Sequence, residues 1–185
     1  MILLAALLGG TACSTATSGG RGAPTLPHTA ADVSFMSGMI AHHAQAVVMS
    51  GWAASHGARA DVQVLAARIA VAQQDEIALM EQWLRDRGEP VPDQVAGHAH
   101  HLMPGMLTQA ELAQLENARG TAFDRLFLTF MIRHHEGALT MVDDLFESYG
   151  AAQDEVVFRF ASDAFADQST EIDRMQQMID SLPRL

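Results

Sequence analysis

The stretch Met39-Ile-Ala-His42-His43-Ala-Gln-Ala-Val-Val-Met49 returns 92 residues later as Met131-Ile-Arg-His134-His135-Glu-Gly-Ala-Leu-Thr-Met141. Asp32 matches Asp124, Phe35 matches Phe127 and Ala46 matches Ala138 at the same offset. A His-His pair flanked by methionines, repeated at equal spacing, points to an internal duplication. Read at alternating steps of three and four, the first copy gives Asp32, Phe35, Met39, His42, Ala46 and Met49 as one stripe down one side of a helix. The second copy gives Asp124, Phe127, Met131, His134, Ala138 and Met141. His42 and His134 fall within an apolar stripe; His43 and His135 sit about 100° round, at its edge.

A second pair of helices follows the same logic. Val62, Ala66, Ile69, Gln73, Glu76 and Met80 match Val157, Ala161, Ala164, Gln168, Glu171 and Met175 at an offset of 95. The shared pattern is Gln-x-x-Glu-Ile-x-x-Met. A glutamate on a core stripe is costly unless it is paired or coordinated, and here it occurs twice. If each half is an antiparallel hairpin turning near Gly57 or Gly150, then His42 faces Gln73 and Met39 faces Glu76. In the second half His134 faces Gln168 and Met131 faces Glu171. That places His, Met, Gln and Glu in one polar layer of each hairpin. A buried network that only fixes packing would use the same residue types.

The helices are expected over about 30–55, 59–87, 121–149 and 153–181, with Gly57, Gly88 and Gly150 at their ends. Thr108-Gln-Ala-Glu111 reads as a capping box opening a short helix to about Ala118. Thr121-Ala-Phe-Asp124 reads as the cap of the third long helix. No strand-like alternation of useful length appears. The fold class is all-α: a four-helix bundle of two duplicated hairpins, over 30–90 and 121–182, joined by a longer connection with a short helix.

That connection carries His98, His100, His101, Met103 and Met106. Histidine-rich tracts of this kind are compositional signals of metal binding. Ahead of the bundle, residues 1–12 are apolar and lead into the only cysteine, Cys13. This resembles a lipoprotein signal whose cysteine becomes lipidated, although Gly10 stands where leucine is usual. Residues 14–29 are rich in Ser, Thr, Gly and Pro and read as a flexible tether, with His28 incidental to it. The domain then occupies 30–185. The expected address is the cell envelope outside a bacterial membrane, with the lipid anchor as the only membrane contact. A net charge of −11 with no basic cluster argues against nucleic acid as a partner.

Phe35 to Met49, Met103-Pro-Gly-Met106 and Gly120 to Met141 together resemble the bacterial domain-of-unknown-function family 305. The resemblance covers roughly residues 32–180. It implies a ferritin-like helical bundle, export, and copper binding as in some members of the family. It also implies a role for His42, His43, Met39 and Met49, for their counterparts His134, His135, Met131 and Met141, and for Gln73, Glu76, Gln168 and Glu171.

Ligand chemistry ranks the metals independently. Thioether with imidazole favours copper, Cu(I) in particular, because soft sulfur suits a soft ion. Zinc seldom takes methionine, and a di-iron bundle wants Glu-x-x-His on two helices, which is absent here. The expected metal ligands are therefore the two His-His pairs, Met39, Met49, Met80, Met131, Met141 and Met175, with the connection's histidines, Met103 and Met106. Gln73, Glu76, Gln168 and Glu171 would orient the imidazoles by hydrogen bonds. No nucleophile–base arrangement or nucleotide fingerprint is evident. The function expected is copper sequestration or transfer, with a metal donor or acceptor protein as partner. The alternatives are a metal-dependent enzyme with a His/Glu site and a metal-free envelope module.

Overall fold

The computed structural model describes residues 28–92 and 103–183. Cys13, the leader, most of the tether and His98, His100 and His101 lie outside them. The described chain is all-helical: α1 (Ala30–Gly51), α2 (Ala60–Asp86), α3 (Gln109–Asn117), α4 (Gly120–Glu147) and α5 (Glu155–Asp180). Among the described residues there is no strand, and no helix is long and apolar enough to cross a membrane.

Three of the five helices start where a side chain takes up free N–H groups, and α2 and α4 have no such cap. Thr29 and Asp32 form a capping box at α1, Thr108 and Glu111 form one at α3, and the Asp154 carboxylate accepts from the Val156 and Val157 N–H groups at α5. Two expectations are corrected here. The first helix ends at Gly51, not Ser55, and residues 52–57 turn the chain instead. The third long helix begins at Gly120 after Arg119, which offers no side-chain cap, so Thr121 is not the cap.

Asp124 has another task. Its Oδ1 accepts from the backbone N–H of Arg59, at the start of α2, at 3.0 Å. Its counterpart Asp32 accepts from the N–H of Ala152, just ahead of α5, at 2.7 Å. Each hairpin thus sends a buried carboxylate to the turn of the other. Partial burial pushes the Asp124 carboxyl up from its ordinary range, against the pull of the Arg59 N–H and guanidinium.

α1 packs along α2, α4 along α5, and the hairpins meet chiefly through α1 and α4; α2 and α5 scarcely touch. Two apolar cores are stacked along the long axis. One holds Met49, Leu65, Ile69, Phe123, Phe127, Met131 and Met175. The other holds Phe35, Met39, Ile40, Met80, Trp83, Val142 and Phe160. Neither contains a histidine, and both His-His pairs lie at the level between them. His28 packs edge-on against Trp83 and bonds Glu89 at 3.2 Å, which fastens the start of the domain to the end of α2.

Candidate metal centre

All four histidines of the repeated pairs are 0% exposed. His42 and His43 come from α1, His134 and His135 from α4. The first member of each pair faces the other hairpin, so the His42 and His134 rings meet across the α1–α4 seam with centroids 3.8 Å apart. The second member faces its own hairpin partner. His43 Nε2 lies 2.7 Å from Glu76 Oε2 on α2, and His135 Nε2 lies 2.8 Å from Glu171 Oε2 on α5. This corrects the expected pairing, in which Met39 and Met131 stood opposite the glutamates. The edge position assigned to His43 and His135 is in fact the interior of each hairpin, because α2 or α5 covers it.

These contacts fix tautomers. A carboxylate oxygen can only accept, so the Nε2 of His43 and of His135 donates, and in the neutral ring the lone pair is on Nδ1. The Pro104 carbonyl likewise accepts from His42 Nε2 at 3.1 Å, which leaves His42 Nδ1 bare. None of these three Nδ1 atoms has a hydrogen-bond partner in the protein, and neither nitrogen of His134 has one. The neighbouring glutamines are unpaired too: Gln73, 3% exposed, at its Oε1, and Gln168, 4% exposed, at both amide atoms. Buried polar atoms are normally satisfied, so this density of free donors and acceptors sets the layer apart from the rest of the interior.

Protonation is suppressed. Burial, followed by the field of His43, holds His42 down from 6.5 to about 3. Burial and then the field of His42 hold His134 well below its ordinary value. Two imidazolium rings could not share this seam. Neutral rings with free lone pairs are the form in which imidazole binds metal. The carboxylate behind His43 and behind His135 is the usual device for aiming such a ligand and raising its basicity. Among the described residues, no three His, Cys, Asp or Glu side chains converge on one point.

The methionines divide. Met39 and Met80 are buried in one apolar core, and Met49, Met131 and Met175 in the other, above and below the histidine level. Met103 and Met141 lie over the outer face of α1 at Gly38, one turn before His42. A Cβ added to Gly38 would stand 3.5 Å from Met103 Sδ and 3.3 Å from Met141 Cε. Both line a groove of about 500 Å³ that also takes in Ser34, Phe35 and Asp144. Met106 is half-buried in the loop that follows.

That loop is held by residues the sequence reading passed over. Gln45 clamps Leu107 with two bonds, Nε2 to the Leu107 carbonyl at 3.1 Å and Oε1 from its N–H at 2.7 Å. Gly105, at φ +75°, lies against Gly137 of α4 so closely that a Cβ on Gly137 would come within 2.1 Å of the Pro104 oxygen. Arg133 pairs with Glu111 at 2.7 Å. The signal was available: glycine inside a helix costs about 1 kcal/mol relative to alanine, so Gly38 and Gly137 needed a reason.

The chain matches the family model "Domain of unknown function (DUF305)" over residues 32–179 and belongs to that family. It resembles a DUF305 fragment from Deinococcus radiodurans with 30% identity and a TM-score of 0.74, covering 84% of this chain and 99% of that one. A Streptomyces coelicolor protein of the family, named as secreted, gives 29% identity and a TM-score of 0.71 over 80% of this chain and 91% of its own. CopM in its Cu(II)-bound form gives 29% and 0.67 over 80% and 95%. CopM structures with Cu(I) or Ag bound are also similar. No curated protein matches the chain.

Proposed function

We propose that this DUF305 member is an exported protein that binds copper, Cu(I) most readily, in the histidine layer, and sequesters it or hands it on. One observation carries the reading: four fully buried imidazoles presenting five ring nitrogens without a hydrogen-bond partner in the protein. A layer serving only packing would leave those atoms unsatisfied at about 1–3 kcal/mol each. A bound ion turns the same atoms into ligands. Likeness to CopM, which has been captured with Cu(I), Cu(II) and Ag, supports the choice of metal.

In this reading His42 and His134 bind from the two hairpins, and His43 and His135 bind with Glu76 and Glu171 behind them. Met103 and Met141 add thioether at the outer groove, and the histidines of the connection (His98, His100, His101) are further candidate ligands. The buried methionines pack and keep water out. The four long helices form a bundle of two duplicated hairpins over 30–185, preceded by a leader ending at Cys13 and a tether over 14–29. Lipidation of Cys13 would keep the domain at the membrane, and a second protein would supply or take the ion.

The test is native mass spectrometry and equilibrium competition on the purified protein with Cu(I), Cu(II) and Zn(II). Stoichiometric copper is expected. It should be lost in a His42→Leu/His134→Leu variant whose fold is intact by circular dichroism. Zinc held as tightly as copper, or copper unaffected by the double substitution, would overturn the reading.

A further inference from the structure

The histidine layer has two sides, and they are built differently. On the α1–α4 side the segment 103–107 lies flat on Gly137, is bonded to His42 and Gln45, and closes the seam with backbone-to-backbone contact. On the opposite side α2 and α5 stand apart, leaving a cleft of about 820 Å³. Gln73 and Gln168 line this cleft, and both are otherwise buried with amide atoms unpaired. One turn from each glutamine stand Glu76 and Glu171, 24% and 25% exposed, already bonded to the buried His43 and His135. Asp75 and Asp167 complete the mouth.

Arg68 and Arg174 also line the cleft, five and six residues along their helices from the glutamines, which at 1.5 Å per residue is about 8–9 Å. Arg174 stands one turn beyond Glu171, and the carboxylates of Asp75, Glu76, Asp167 and Glu171 outnumber the two guanidinium groups. Partial burial, then the negative fields of Glu76 and Glu171, push the Asp167 carboxyl up. The carboxylates do not close into a cage, so they attract a cation without trapping it.

We propose that the α2–α5 cleft is the route by which the metal reaches and leaves the histidine layer. The carboxylates at its mouth draw in a hydrated cation. The Gln73 and Gln168 amides replace part of its water, and His43 and His135 receive it. No electron or proton transfer is needed; the steps are ligand exchange. This rests on the copper-binding reading above and adds to it a direction of approach and a role for Asp167, which touches no imidazole. An excess of one sign of charge on low-dielectric walls raises the local concentration of counter-ions and the rate of association.

The experiment follows loading of aqueous Cu(II) by stopped-flow quenching of tryptophan fluorescence, and release into excess EDTA. Ala72, exposed on the cleft wall, is changed to Phe; Ala113, exposed on α3 and lining neither the cleft nor the outer groove, is changed to Phe as control. Ala72→Phe should slow loading and release together by about tenfold or more while equilibrium affinity stays unchanged, and Ala113→Phe should alter neither. Asp167→Asn needs no steric change and should slow loading several-fold at low salt, with the difference shrinking as salt rises. Equal slowing by Ala113→Phe and Ala72→Phe, or no slowing by Ala72→Phe together with none by Asp167→Asn, would overturn the route while leaving copper binding in place. Failure of the unaltered protein to bind copper at equilibrium would overturn both, and that measurement is independent of the rates.

Discussion

Replacing Gly137 with alanine asks how firmly the segment over 103–107 is seated on α4. The new Cβ would stand 2.1 Å from the Pro104 oxygen, 2.4 Å from its carbonyl carbon and 2.7 Å from Gly105 Cα. All three are backbone atoms, so no rotamer change relieves them. Ordinary contact begins near 3.4 Å, and the loop must lift by about 1 Å. Lifting takes the Pro104 carbonyl out of range of His42 Nε2, now at 3.1 Å. Overpacking costs about 1–3 kcal/mol, and an orphaned buried imidazole N–H adds about 1–3. Alanine's better helix propensity returns about 1. The net is a loss of about 1–5 kcal/mol, or about 3–15 °C in Tm at about 3 °C per kcal/mol for a chain of this size. The same change at Gly51, whose Cβ would meet nothing within 4 Å, should be neutral or stabilise by up to about 1 kcal/mol. Thermal and urea unfolding of the two variants side by side is the assay. A Gly137→Ala protein as stable as the parent would refute the docking of the loop and, with it, the account of how His42 is aimed.

Other expectations concern the layer itself. Glu76→Gln with Glu171→Gln keeps an acceptor for each histidine but removes the charge. Copper affinity measured by chelator competition should fall about 10–100-fold, and an unchanged affinity would remove the glutamates from the account. The metal-free protein should lose stability as pH falls. Unfolded, His42 takes up a proton near 6.5; folded, it does so only near 3, so between those values the unfolded state binds more protons. His42 alone then contributes up to about 1.4 kcal/mol of destabilisation per pH unit from 6.5 down to 3, and His134 acts in the same direction. Urea titrations between pH 7.5 and 4.5 that superimpose would contradict this. Gln45→Ala leaves both backbone groups of Leu107 unpaired and should cost about 2–4 kcal/mol, with faster amide exchange around Leu107.

Much of this architecture could be read from the chain because the repeat fixed what a single helix could not. The offset of 92 between His42 and His134, and of 95 between Glu76 and Glu171, identified four positions of the polar layers. The apolar stripes supplied the helices that carry them. What failed was register: opposite residues in a hairpin are set by where the turn closes, and the first helix stopped at Gly51. Glutamate therefore met the second histidine of each pair, not a methionine. The cap expected at Thr121 failed because the Asp124 carboxylate is engaged by Arg59, a contact between residues 65 apart that no local pattern encodes. Gln45 and the Gly105–Gly137 contact were missed for a related reason. Their partners are backbone groups of a loop whose path depends on tertiary packing.

The reciprocal placement of Asp32 and Asp124 has a bearing on how a cargo could be lost. Because each hairpin borrows a carboxylate from its neighbour to close its own bend, fraying one half strips a fastening from the other. Opening either half alone therefore costs these two bonds, about 1.5–3 kcal/mol each for a charged acceptor, on top of its own packing, and a partly opened molecule baring the central imidazoles is disfavoured by that amount. An ion lodged there is guarded against leakage by breathing motions, and its departure depends on small displacements of side chains in an otherwise closed body.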